Sequence, residues 1–177
     1  LKGHFCLASV LGRRWRDASK AGKPVDARII NTSSGAGLQG SVAQSNYSAA
    51  KGGIAALTLV QAVEMKRYGI TVNSLAPAAR TAMTESAMPD MVKKPASGFD
   101  VWDPMNVASI VVWLGSPLSA HVTGQCFEAK GGELSVAEGW RTGKITDKGA
   151  RWEPKELTKV VDQLIAEGRP AQKVYGS

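Results

Sequence analysis

With 177 residues and 44% hydrophobic content, the chain has ordinary globular composition and can bury a single core. No apolar run is long enough to cross a bilayer and no leader pattern opens the chain, so a cytoplasmic protein with no membrane partner is expected. The formal charge of +7 comes from 22 Lys+Arg against 15 Asp+Glu; its densest cluster, Arg13-Arg14-Trp15-Arg16, ends a helical pattern with no nucleic-acid motif around it, so solvated helix ends and no nucleic-acid partner are expected.

The elements alternate. Leu1 to about Ser19 reads as a helix with Leu1, Phe5, Ala8, Gly12 and Trp15 near one stripe, broken at Ala21-Gly22-Lys23-Pro24. Ala27 to Thr32 is a short apolar strand of fully buried type. Ser45 to Tyr68 is a long helix ended by Gly69 as a C′ glycine. Ile70 to Leu75 is the next strand, and 78–100 is irregular and Met-bearing. Asp103-Pro104 offers an N-cap and an N1 proline to a helix with Val107, Ile110, Val111 and Leu114 on its apolar face. Gln125 to Ala129 is the last strand. Pro154 opens a final helix whose Leu157, Val160, Val161, Leu164 and Ile165 follow helical spacing. Strand–helix alternation implies an α/β fold with a parallel sheet covered on both faces.

Tyr47 and Lys51 lie one helical turn apart and share a face, with Ser34 upstream at the mouth of a strand. An unperturbed tyrosine ionises at about pH 10, and a neighbouring cation favours the ionised form of a phenol. A serine hydroxyl able to reach the same substrate oxygen completes acid–base machinery for a carbonyl/alcohol pair. A bare Y-x-x-x-K is more often a surface tyrosine with a lysine partner; the serine, its spacing and the small-residue helix favour chemistry. Gly35-Ala36-Gly37-Leu38-Gln39-Gly40 matches G-x-G-x-x-G, but 41–45 intervene before the helix and no acidic residue sits at the required distance. It reads as a flexible substrate-side wall rather than a phosphate cradle. His4 and His121 have no ligand-spaced companions, so no metal site is expected. Cys6 and Cys126, far apart on elements that read as buried, are expected to be two core thiols in a reducing compartment.

These residues resemble the short-chain dehydrogenase/reductases, whose signature is a serine on a strand end followed by Y-x-x-x-K. The likeness continues through Thr71-Val72-Asn73-Ser74-Leu75-Ala76-Pro77 and Val122-Thr123-Gly124-Gln125, over roughly 1–135. Ala76-Pro77-Ala78-Ala79-Arg80-Thr81-Ala82-Met83-Thr84-Glu85 and Phe127-Glu128-Ala129-Lys130-Gly131-Gly132 are similar to the (3R)-hydroxyacyl-CoA dehydrogenases of multifunctional β-oxidation enzymes and their bacterial relatives. Trp140 and Arg151-Trp152 extend that likeness.

The resemblance implies a Rossmann-like doubly wound parallel sheet with helices on both faces, of which this chain holds only the part after the cofactor-binding half. Residues 1–135 would be the C-terminal part of one dehydrogenase domain, and 136–177 an extension with a final amphipathic helix. It implies an NAD(P)-dependent oxidoreductase interconverting a secondary alcohol and a ketone, with 3-hydroxyacyl/3-oxoacyl thioesters as substrates and Ser34, Tyr47 and Lys51 catalytic. Tyr47, Lys51, Pro77, Ala78 and Thr81 would contact NAD or NADP, the selecting residues lying outside this chain. Ala78 stands where the family has glycine and Thr81 comes one position early, a departure that leaves the exact contact open. Asn73 is a weaker candidate for the site and is expected rather to order the strand end. The family's habit implies a homo-oligomer. A steroid or other alcohol dehydrogenase, or a non-catalytic remnant acting as an interaction module, are the alternatives.

Overall fold

The computed structural model describes residues 1–170 and 172–176. They form two compact units, residues 1–137 with 174–176, and residues 138–173.

The first unit is built on a four-stranded sheet of order β1-β2-β3-β4, with β1 Ala27–Thr32, β2 Ile70–Ala78, β3 Cys126–Lys130 and β4 Glu133–Val136. The first three strands are parallel and β4 is antiparallel to β3. Helices α1 (Lys2–Lys20), α2 (Gly35–Gln39), α3 (Ser45–Met65), α4 (Ala82–Ala87) and α5 (Met105–Gly115) occupy the connections and the faces. Strand β2 lies between two neighbours, and its residues 70–76 are all buried. Alternation along it feeds two cores. Ile70 and Val72 meet Ala27 and Ala62, with Trp15 and Met65 packed against them, so α1 and α3 cover that face. Leu75 turns the other way to Val107, Ile110, Leu114 and Phe127, under α5. Full burial of each such aliphatic side chain contributes about 1.5–3 kcal/mol. Where α3 ends, Lys66–Tyr68 tightens into a 3₁₀ turn and Gly69 takes φ +76°; a side chain there would meet the Val25 carbonyl oxygen at 2.2 Å.

The predicted strand β1 is found with the same bounds, the helix from Pro154 is confirmed as α6 (Pro154–Glu167), and the parallel sheet covered on both faces is as expected. Other expectations are corrected. The 35–40 wall is not a flexible loop: its first five residues form α2, capped by Ser34. β4 was unforeseen, since it is short, follows two glycines and has no buried residue. β1 is only half-buried, because no strand pairs with its outer edge among the described residues. Leu1 and Phe5 of the α1 stripe are exposed, as is Val111 of α5. Cys6 is exposed, on the outward side of α1, and Cys126 is half-buried, its thiol pushed up by burial. Asn73 lies within β2 rather than at its end, because the strand runs on to Ala78, and it holds the turn before β3, donating to the Val122 carbonyl and accepting from the Gln125 amide.

In the second unit, α6 opens with Pro154 and a capping box between Glu153 and Glu156. Its apolar stripe is not fully buried anywhere, and Ile165 is exposed. Lys148 lies 5.4 Å from the centroid of the Trp152 ring, and Trp140 is fully exposed. No described helix is long and apolar enough to cross a membrane.

Candidate active site

The site forms where β1 ends. The Ser33 amide donates to the Leu75 carbonyl at 2.7 Å, carrying the chain one residue past the strand along β2. The Ser33 hydroxyl, buried, donates to the Lys51 carbonyl at 2.8 Å and so ties the strand end to the second turn of α3. Ser34 is extended, at φ −163°, and its Oγ accepts the Ala36 amide at 3.2 Å as the N-cap of α2. That bond uses a lone pair and leaves the hydroxyl proton available for a substrate oxygen.

Helix α2 sits directly on α3. A Cβ on Gly37 would lie 2.5 Å from the Lys51 carbonyl carbon, and one on Gly52 would lie 3.0 Å from the Gly37 oxygen. The two glycines therefore let the backbones touch, and this contact sets the height of Lys51 relative to Ser34. The Lys51 ammonium donates to the Thr32 carbonyl at 2.9 Å and lies 5.7 Å from the centroid of the Tyr47 ring. Of its three donors, the other two stay free of any protein acceptor among the described residues. Tyr47 is 42% exposed, and its hydroxyl has no protein hydrogen bond among the described residues. Thr32 lies opposite Leu75 in the sheet, so Pro77 and Ala78 continue β2 beyond the end of β1, on the same side as Ser34. Thr81 is exposed and committed locally: its Oγ1 accepts the Thr84 amide, and the Thr84 hydroxyl accepts the Thr81 amide at 2.7 Å.

The structure brings Lys51 to Tyr47 and to the strand end that carries Ser34, and it makes Thr81 the N-cap of α4. Sequence reasoning missed His4. Its Nε2 accepts the Thr32 amide at 3.2 Å across the open edge of β1. Partial burial, and then the Lys51 charge, hold its imidazole below the usual range. It also missed Asn31, a buried crosslink whose amide donates to Thr58 Oγ1 at 3.0 Å and Gln61 Oε1 at 3.1 Å. A third omission is Arg80, which donates to the Val92 carbonyl at 2.6 Å and pairs with Asp100. A polar residue in an apolar strand was the available signal for Asn31; nothing local marked the other two. No described group of His, Cys, Asp or Glu could hold a metal ion.

The short chain dehydrogenase family model matches residues 10–92. Hydroxyacyl-CoA dehydrogenase ChsB1 of Mycobacterium tuberculosis is 40% identical over 175 residues, 97% of this chain and 55% of that protein. The (3R)-3-hydroxyacyl-CoA dehydrogenase of Rattus norvegicus is 34% identical over 137 residues, 75% of this chain and 51% of that protein. A crystal structure of a short chain dehydrogenase from Mycobacterium avium superposes with a TM-score of 0.88 at 55% identity, covering 100% of this chain and 57% of that one. The chain belongs to the short-chain dehydrogenase/reductase family. It spans about half the length of the relatives it matches.

Proposed function

We propose that this chain carries the proton-transfer half of an NAD(P)-dependent oxidoreductase that interconverts 3-hydroxyacyl and 3-oxoacyl thioesters. The observation that carries the reading is Lys51, fixed by the Thr32 carbonyl beside the ring of a half-exposed Tyr47 whose hydroxyl has no partner among the described residues. In the reductive direction Tyr47 donates its phenolic proton to the ketone oxygen; in the oxidative direction it removes the alcohol proton. The Lys51 charge stabilises the negative charge left on the Tyr47 oxygen as its proton departs. Ser34 donates its free hydroxyl proton to the same substrate oxygen, fixing its position and polarising the carbonyl.

The residues present fit a nicotinamide cofactor. Lys51 retains two donors for ribose hydroxyls beside the open edge of β1, and Pro77 and Ala78 end the neighbouring strand on the same side. Thr81 caps α4 by accepting the Thr84 amide, a bond that, as at Ser34, leaves its hydroxyl proton available to the cofactor. A bound nicotinamide supplies the hydride acceptor or donor. Residues 1–135 are read as the later part of one dehydrogenase domain, and 136–177 as an extension.

Relatives named for hydroxyacyl-CoA support thioesters over simple alcohols. In the full-length protein, Tyr47→Phe is expected to lower turnover by about 10²–10⁴-fold with cofactor affinity kept. Lys51→Ala should lose turnover and weaken cofactor binding together. The substrate assignment is tested by kcat/KM for (3R)- and (3S)-hydroxyacyl-CoA and a steroid alcohol at saturating cofactor. The (3R) epimer should lead. Near-normal turnover of Tyr47→Phe removes the mechanism, and preference for the (3S) epimer or the steroid removes the substrate alone.

A further inference from the structure

Residues 174–176 return to the rim of this site. Tyr175 pairs in parallel with Ser41: its amide donates to the Gly40 carbonyl at 3.2 Å, and its carbonyl accepts the Val42 amide at 2.9 Å. The segment is thus stitched to the link between α2 and α3, the stretch that separates Ser34 from Tyr47 in the chain. The Tyr175 side chain then lies over Gly35. A Cβ on Gly35 would stand 2.8 Å from the Tyr175 hydroxyl oxygen and 3.0 and 3.2 Å from two ring carbons, so the ring occupies the space that any other residue 35 would fill. Its hydroxyl has no protein hydrogen bond among the described residues, and the residue is 48% exposed. A tyrosine with its ring edge laid on backbone and its polar tip unpartnered is built to meet a second polar group.

The position limits what that group is. The hydroxyl oxygen lies at most about 4.3 Å from the Gly35 Cα, and Ser34 Cα is about 3.8 Å further along the chain. A substrate whose C3 oxygen sits on Ser34 and Tyr47 carries its C1 carbonyl two bonds away, about 2.5 Å between the carbons. A phenol bordering the residue after Ser34 is within range of that second oxygen.

We infer that Tyr175 is a specificity-determining residue whose hydroxyl donates a hydrogen bond to the thioester carbonyl of a 3-hydroxyacyl or 3-oxoacyl substrate. The inference rests on the oxidoreductase reading of Ser34, Tyr47 and Lys51. A donor aimed at C1 separates thioesters, which have an acceptor there, from steroid or simple secondary alcohols, which do not.

The test is Tyr175→Phe in the full-length protein, which keeps the ring on Gly35 and removes only the hydroxyl. Steady-state reduction is measured with acetoacetyl-CoA and with a cyclic ketone lacking a thioester, alongside the thermal midpoint. Loss of one neutral hydrogen bond should raise KM for acetoacetyl-CoA by about 3–10-fold, with kcat within about twofold, the midpoint unchanged and the cyclic ketone unaffected. An unchanged KM for acetoacetyl-CoA overturns the inference and leaves the oxidoreductase reading standing. So does a loss equally large for the ketone, or one that follows a lowered midpoint, since a packing role predicts those. If the unaltered protein reduces neither compound, the oxidoreductase reading fails and the inference with it.

Discussion

Arg80 and Asp100 hold the segment between β2 and α5 against the end of the sheet, and removing one of them exposes how strongly. Their side chains are 12% and 10% exposed, so this is a nearly buried pair rather than a surface contact. Arg80 also donates to the carbonyl of Val92, itself 1% exposed, and its amide donates to the Trp102 carbonyl at 2.7 Å. Asp100 Oδ1 accepts the Trp102 amide at 3.1 Å. Asp100→Ala strands a buried guanidinium, which costs about 3–5 kcal/mol, and deletes a bond to Trp102 worth about 1 kcal/mol. Glu85, 3.8 Å from Arg80 and 57% exposed, recovers less than about 1 kcal/mol. The net loss, about 3–5 kcal/mol, falls on a segment that can open by itself, because its one deep anchor is Val92. Native-state hydrogen exchange of the full-length protein should show the Met88 and Val92 amides exchanging on the order of 10²-fold faster, with β2 amides much less affected. Asp100→Asn keeps the shape and the Trp102 bond and should cost less; Glu85→Gln should be near neutral. Unchanged exchange at Val92 in Asp100→Ala would refute the argument, because the pair would then contribute nothing to holding the segment.

Two further outcomes follow from the same contacts. Gly37→Ala places a methyl 2.5 Å from the Lys51 carbonyl carbon and 2.6 Å from the Gly52 nitrogen, backbone atoms that cannot swing aside; about 1–3 kcal/mol of stability should be lost in urea unfolding, with turnover falling too because Lys51 moves. Wild-type stability together with wild-type turnover would show that α2 and α3 are not in contact. His4 has its folded value below the unfolded value of about 6.5, through burial and then the Lys51 charge. Between those two values the unfolded state binds the extra proton, so stability is full above about pH 6.5 and is lost as pH falls towards the lowered value. Protonated Nε2 can no longer accept the Thr32 amide. Midpoints of His4→Gln and the unaltered protein, followed from pH 7.5 to 5, should therefore converge as pH falls, and parallel curves would count against a titrating His4.

What the sequence disclosed was mostly periodic or chemical. β1 is a short apolar run between breakers, and its bounds were readable to the residue. The Tyr47–Lys51 pair needs only the helical i, i+4 rule, and the helix that carries it is long and ends on a glycine at positive φ. α2 was hidden because Gly35-Ala36-Gly37 has poor helix propensity. It forms anyway because Ser34 caps it and because glycine is the residue that lets it rest on the Lys51 backbone. Propensity and packing disagree there, and packing decides. β4 was hidden for the opposite reason: Glu133–Val136 has no buried face, and pairing with β3 is its whole support. Arg80 with Asp100, and Tyr175 with Gly35, join residues far apart in the chain, and no local pattern marks such partners.

The same contacts explain why so exposed a tyrosine can still be held in a working position. The Tyr47 hydroxyl has no hydrogen bond among the described residues, so its placement is inherited from α3. That helix is fixed at three successive levels: Lys51 by its ammonium to Thr32 and by its carbonyl to Ser33, Thr58 and Gln61 by their bonds to Asn31, and Ala62 by the core around Val72. All three levels refer to β1 and its neighbour β2, so the helix cannot tilt without breaking bonds to the strand that also carries Ser34. Asn31 is the telling member, since it is buried in β1 and its amide donates to two side chains of α3. Replacing it with leucine, which has the same branching and length, leaves Thr58 Oγ1 and Gln61 Oε1 without their shared donor and sets an apolar side chain against them. The stability cost is that of unsatisfied buried groups, about 1–3 kcal/mol, but the geometry predicts more than that. Asn31→Leu should lower kcat in the folded fraction as well, although Asn31 is not one of the residues proposed to act on substrate, because the register between Ser34 and Tyr47 is transmitted through it. Turnover normalised to folded protein, measured well below the unfolding midpoint, reads this directly. An unchanged normalised kcat beside a lowered midpoint would mean that Lys51 and the α2–α3 contact hold the register without help from Asn31.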